Sequence, residues 1–165
     1  LMYKIKLLIL LLISLFVLSC ADNRIPSKKY QFSLSNIGGE YDGLVLSNIL
    51  RSHLAGYNSI DPRSKLEIQS NIQHSTSIYI TNIDNTSDRE KVETVISVKI
   101  YNENDKCYVY KFNKMISQFY VFASNENFIS NQKALEQIKY ENTEELVKNF
   151  INELFYLELE CIEKY

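Results

Sequence analysis

The chain has 165 residues, enough for one domain of ordinary size, and its apolar share of 45% and charged share of 23% are those of a globular protein rather than a disordered one. Its 18 Lys and Arg stand against 20 Asp and Glu, a formal charge of −2, so no bulk positive field exists to draw nucleic acid. Four glycines, with neither GxGxxG nor GxxxxGK[ST] spacing, leave no phosphate-cradling loop and no support for nucleotide chemistry.

Lys4 and Lys6 precede an apolar run from Leu7 to Leu18 broken only by Ser14. Twelve positions suit the core of an export signal and are too few for a membrane span. The run ends in Val17-Leu18-Ser19-Cys20, a small residue directly before a cysteine. Residues 1–19 are therefore expected to be a cleaved signal, and residues 20–29, polar and containing Pro26, a tether. Loss of Lys4 and Lys6 with the signal moves the formal charge to −4.

A single domain is expected over residues 30–165. Tyr30, Phe32 and Leu34 alternate with polar residues as in a half-buried strand, which Asn36-Ile37-Gly38-Gly39 should break. Leu44, Ile49 or Leu50, and Leu54 then predict a helix from about Tyr41 to Ala55, stopped by Gly56. Leu66, Ile68, Ser70 and Ile72, continued by Ile78 and Ile80, predict a second strand, with Ser75-Thr76-Ser77 as the place for a bulge. A turn over Asn82 to Asp88, a β-branched run from Val92 to Tyr101, a turn at Asn102 to Asp105 and a run from Cys107 to Ala123 predict two long antiparallel strands. Beyond Asn125 the period lengthens. Leu135, Ile138, Leu146, Val147, Phe150, Ile151, Leu154, Leu157 and Cys161 are assigned one helical face, and Glu144, Glu145, Lys148 and Glu153 the other. The predicted fold is α+β, in the order β-α-β-β-β-α: a four-stranded, mostly antiparallel sheet with two helices on one face.

Cys107 and Cys161 would share a compartment that permits disulfides, but sequence does not place their Cα atoms. Two buried unpaired thiols are the expectation, with a bridge as the alternative.

No arrangement carries catalytic chemistry. His53 and His74 fall in no HExxH and at no zinc-ligand spacing, GxSxG is absent, and the carboxylates are scattered, so no enzyme, metal or cofactor is expected. His53 is read as a side chain near a helix C-terminus, where the dipole favours a cation. Cys107 to Lys114 interleaves aromatic and basic residues. It is read as a strand with one wet face, and Tyr101, Tyr108, Tyr110 and Tyr120 as sharing it; Tyr108, Tyr110 and Phe112 are the candidate anchors for a partner.

The segment Val17 to Cys20 resembles the lipobox of bacterial lipoproteins, which implies diacylation of the Cys20 thiol, cleavage after Ser19 and a lipid anchor. With it go the first strand and a helix bearing Leu50-Arg51 and Leu54, then Glu93 to Val98, and then a strand ending Phe119 to Phe122. That strand leads through Asn125 to Asn127 into Phe128 and a helix ending Phe150 to Leu154. In this order and spacing the chain resembles the LPS-assembly lipoprotein family, LptE or RlpB. The resemblance implies a non-enzymatic lipoprotein of the outer membrane, facing the periplasm. It would plug the LPS-translocating β-barrel LptD, help it assemble and contact lipopolysaccharide (LPS); the turn Asn82 to Asp88, where the family carries basic residues, is not basic here, and Arg89, Lys91 and, at the start of the last helix, Lys133 are the nearest cations. Two other readings stand beside this one. One is a periplasmic α+β lipoprotein serving a lipid-transport ABC system. The other is an enzyme, which would need His53 or His74 to converge with Ser and Asp in a pocket.

Overall fold

The computed structural model describes residues 30–80, 88–121 and 128–164. The predicted signal, Cys20, the tether, residues 82–87 of the predicted turn and residues 122–127 lie outside these.

Five strands and two helices follow one another as β1 (Ser33–Gly38), α1 (Glu40–Gly56), β2 (Leu66–Ile80), β3 (Asp88–Asn102), β4 (Cys107–Val121), α2 (Phe128–Tyr156) and β5 (Glu163–Lys164). They form one sheet in the order β1-β2-β3-β4-β5. β1 runs parallel to β2, joined through α1, and the remaining pairs are antiparallel. The α+β order expected from sequence is therefore present, with the two-residue β5 added at its end.

Alternation along the strands decides which face is covered. Ile68 and Ile72 of β2, Val92, Ile96, Val98 and Ile100 of β3, and Phe112 of β4 are buried on one face. Against them pack Leu46, Ile49, Leu50 and Leu54 of α1 and Leu146, Val147, Phe150, Ile151 and Leu154 of α2. Helix α1 lies on β1 and β2, and α2 on β3 and β4, so both helices share that face. Phe150 is the aromatic centre of this core: its ring meets Phe112 edge-on at 5.5 Å and Tyr110 at 6.1 Å.

Several local expectations are corrected. Leu44 is 64% exposed and Leu46 fully buried. At 100° per residue Leu46, Leu50 and Leu54 drift slowly along one stripe, whereas Leu44 lies about 200° from Leu46. The first strand does not stop at Asn36; it bulges there, with Asn36 at φ 44°, and resumes at Ile37 and Gly38. The break falls at Gly39, whose φ of 115° turns the chain into α1 and where a Cβ would meet Ile72 Cγ2 at 2.7 Å. The Ser75-Thr76-Ser77 stretch makes no bulge, since β2 keeps its register with β3 from Leu66 to Ile80. β-Branched Thr and small Ser fit a pleated surface that is exposed here.

The last helix ends at Tyr156, so Leu157 and Cys161 are not on its apolar face. The chain leaves the helix and returns to the start of β4. There Ile162 N–H donates to the Tyr108 carbonyl at 2.8 Å, and Cys161 is bonded to Cys107 with Cα atoms 5.7 Å apart. The expectation of unpaired thiols is thus overturned. Sequence does not place the two Cα atoms; the end of the helix at Tyr156 and the return of the chain to β4 bring together two cysteines 54 positions apart.

Candidate functional site

The sheet face away from the helices carries no packed element among the described residues, and its side chains follow from strand parity. Cross-strand rows run Ser35, Gln69, Lys99, Lys111; then Asn71, Ser97, Asn113; then Gln73, Val95, Met115; then Ser75, Glu93, Ser117. Short polar residues dominate. Near the β3–β4 turn the face becomes aromatic and cationic. Tyr101 meets Tyr108 edge-on at 5.3 Å, the Lys99 and Lys111 ammoniums stand 5.6 and 5.8 Å from the Tyr108 ring centre, and the Tyr108 hydroxyl donates to Gln69 Oε1 at 3.4 Å.

Sequence parity put Tyr108, Tyr110 and Phe112 on one side, and the structure separates them. Tyr101 pairs with Tyr108 but Ile100 pairs with Tyr110, so Val109 is an extra residue in the strand. This bulge reverses the facing of everything after it. Tyr108 stays on the open face; Tyr110 and Phe112 enter the core at 9% and 3% exposure, and Cys107 and Val109 are buried as well. Tyr110 and Phe112 are core residues, leaving Tyr108 as the candidate anchor at a surface. Tyr110 keeps its hydroxyl satisfied by donating to Glu153 Oε2 at 2.9 Å, and burial, then that bond, raise its pKa. Lys114 also reaches Glu153, and its bond holds the Glu153 carboxyl below the usual range. Tyr120 likewise lies on the helix side, donating to Glu90; burial and that bond push its pKa up to about 12.

The three cations assigned to LPS do not form one cluster. Arg89 and Lys91 lie on β3 with open-face parity, Lys91 being paired with Glu93, whereas Lys133 is exposed on α2 across the sheet.

Sequence reasoning missed a cleft of about 320 Å³ between α1, α2 and β2, where Tyr41, Val45 and Tyr140 stand beside Asp42, His74, Glu136 and Lys139. His74 lies well inside β2. Its side chain is 4% exposed, with Nε2 3.9 Å from Asp42 Oδ2 and Nδ1 2.8 Å from Thr94 Oγ1. Thr94 Oγ1 also accepts from Asn142 Nδ2 at 3.2 Å. Burial lowers the His74 pKa; Asp42 opposes that shift and Lys139 adds to it. The order carboxylate, imidazole, hydroxyl resembles a nucleophile triad, but Thr94 is fully buried and capped by Asn142, out of reach of a substrate. The hydroxyl joins His74 and Asn142 in a buried hydrogen-bond network. Glu136, Lys139, Tyr140 and Thr143 fall at helical spacing in the polar first half of α2, the signal that could have revealed this cleft. Thr94 gave none, being isosteric with the valines around it. His53 sits in the last turn of α1, outside the cleft.

The fold has relatives among solved structures. Rare lipoprotein B from Shewanella oneidensis superposes with a TM-score of 0.61 at 12% identity, over 75% of this chain and 92% of that one. The chain shares the rare lipoprotein B fold. A putative lipoprotein from Caulobacter crescentus gives 0.56 at 14% identity, over 80% and 93% of the two chains. A minor lipoprotein from Acinetobacter baumannii gives 0.53 at 8%, over 76% and 92%. No family model matches the chain, and no curated protein matches it in sequence. The LptE-like, or RlpB-like, fold that the sequence resembled is thus present, at identities where backbone architecture outlasts side-chain likeness.

Proposed function

We propose that this chain is an LptE-like outer-membrane lipoprotein that binds the LPS-translocating barrel LptD as a plug, assists its assembly and takes part in LPS transport to the cell surface. It works by binding rather than by catalysis. The observation that carries this reading is the open sheet face. A barrel of this class has a polar lumen, and a plug must present it with small polar side chains that can exchange hydrogen bonds for those of water. Gln69, Asn71, Gln73, Ser75, Ser97, Asn113 and Ser117 form such a surface, and Tyr108 with Tyr101 supplies an aromatic anchor at one end. The rare lipoprotein B fold, the Cys20 lipobox and the position of the domain just after a short tether support the same reading. No described helix is long and apolar enough to cross a membrane.

LPS contact is assigned to Arg89, Lys91 and Lys133. Because Arg89 and Lys91 share strand parity and Lys133 lies across the sheet, their removal should weaken LPS association in two separable steps. Purification of the acylated protein in mild detergent tests the whole reading. One large outer-membrane barrel should accompany it, and Cys20→Ser should abolish lipid labelling. Recovery of inner-membrane transporter subunits instead would move the protein to the ABC-system class.

A further inference from the structure

The sheet has two outer edges, and the chain treats their parts differently. β1 is short and bulged at Asn36, two of the devices by which proteins blunt an edge. The start of β4 is covered: β5 pairs with Cys107 and Tyr108, Ile162 N–H caps the Tyr108 carbonyl, and the Cys107–Cys161 bond fixes the covering tail. The next stretch carries Lys111 and Lys114, and edge lysines oppose strand addition. From Met115 to Val121 all these protections end together. No further strand lies outside β4 among the described residues. The segment Met115-Ile116-Ser117-Gln118-Phe119-Tyr120-Val121 has no charge, no proline and no glycine. Met115, Phe119 and Val121 are 59%, 51% and 65% exposed. Among the described residues this edge is open, and seven such residues on it are a template for another strand.

We propose that this segment pairs with the same segment of a second copy of the chain, antiparallel about Gln118. The side chains choose that occupant. In this register Met115 faces Val121, Ser117 faces Phe119 and Ile116 faces Tyr120, so apolar groups meet apolar or small ones and no charge meets a like charge. Gln118 meets its own copy, and since an amide both donates and accepts, the pair can close two reciprocal hydrogen bonds across the two-fold axis. The axis stands normal to the sheet, so the two sheets continue as one and both open faces stay on the same side. A seven-residue strand pair is far smaller than a standard interface, so the association is weak and concentration-dependent. It shields the edge without occupying the polar face, and because a lumen filled by one plug has no room for a sheet continued through a second copy, the pair forms between copies outside the barrel.

The test uses two differently tagged copies of the full chain, co-expressed and extracted in mild detergent. Wild-type copies should capture each other. With Gln118→Lys in both, or Gln118→Glu in both, capture should fall about tenfold, because like charges then face across the axis. With Gln118→Lys in one copy and Gln118→Glu in the other it should return, which also shows that neither change unfolds the chain. A single-copy Gln118→Cys probe reacted with a short bifunctional crosslinker should yield the homodimer. The proposal is overturned if wild-type copies do not capture each other, if Gln118→Lys copies capture each other as wild type does, or if the residue 118 crosslink joins only a different protein.

Discussion

Reduction of Cys107–Cys161 isolates the contribution of the C-terminal tail. The bond closes a loop of sequence separation 54 that contains all of β4 and α2. In the chain-entropy treatment such a loop restricts the unfolded state by about 14 cal/mol/K, hence about 4 kcal/mol at 25 °C. The folded state loses little else directly: β5 adds two residue pairs, and Ile162 N–H one bond to Tyr108. For a domain of this size 1 kcal/mol moves the midpoint by roughly 3–5 °C, so Cys161→Ser should lower Tm by roughly 10–20 °C. The assay is circular-dichroism melting with and without dithiothreitol, with thiol alkylation and mass measurement to establish the redox state. Wild type in reductant should melt where Cys161→Ser melts, and the variant should ignore the reductant. A fully reduced wild type that melts within about 2 °C of the oxidised protein would refute the reasoning, because it would leave no entropy for the loop to have restricted.

Three further outcomes are expected. Phe150→Ala empties the centre of the aromatic core and should cost about 3–5 kcal/mol in urea denaturation. Glu153→Ala, off the apolar face yet bonded to Tyr110 and Lys114, should cost about 1–2 kcal/mol by leaving the Tyr110 hydroxyl unpartnered, more than its exposed side of the helix would suggest. His74 has a folded pKa lowered from 6.5, so the unfolded chain takes up its proton first as pH falls. Its contribution to stability is present above pH 6.5 and is lost as pH drops from 6.5 through the lowered value. His74→Asn should flatten the slope of unfolding free energy against pH in that window, measured by urea titrations at successive pH values; an unchanged slope would assign it to other groups.

The strand and helix order was legible because period-two and helical patterns are long here, as in Val92 to Ile100 and Leu146 to Leu154. Failures came where one residue shifts the phase. Val109 is an ordinary strand residue by composition, yet as a bulge it sends Tyr110 and Phe112 inward, so the aromatic surface expected from parity shrank to Tyr101 and Tyr108. The end of α2 carried no glycine or proline to mark it, and Leu157 and Cys161 extended the apolar period by coincidence. The cleft around His74 was hidden because its lining comes from three elements, and the Thr94 hydroxyl buried behind His74 belongs to a side chain isosteric with its valine neighbours. The open face, by contrast, was readable as a polar strand face. What packs there depends on a partner's chemistry, which no periodicity encodes.

Site-resolved photo-crosslinking tests the central claim most directly. A photoreactive residue placed at Asn113, in the middle of the open sheet face, should capture one large outer-membrane β-barrel in intact cells, and placed at Ser97 or Gln73 it should capture the same protein. Capture of inner-membrane transporter subunits from these positions, or no capture from any of them while the folded protein is anchored in the membrane, would contradict it.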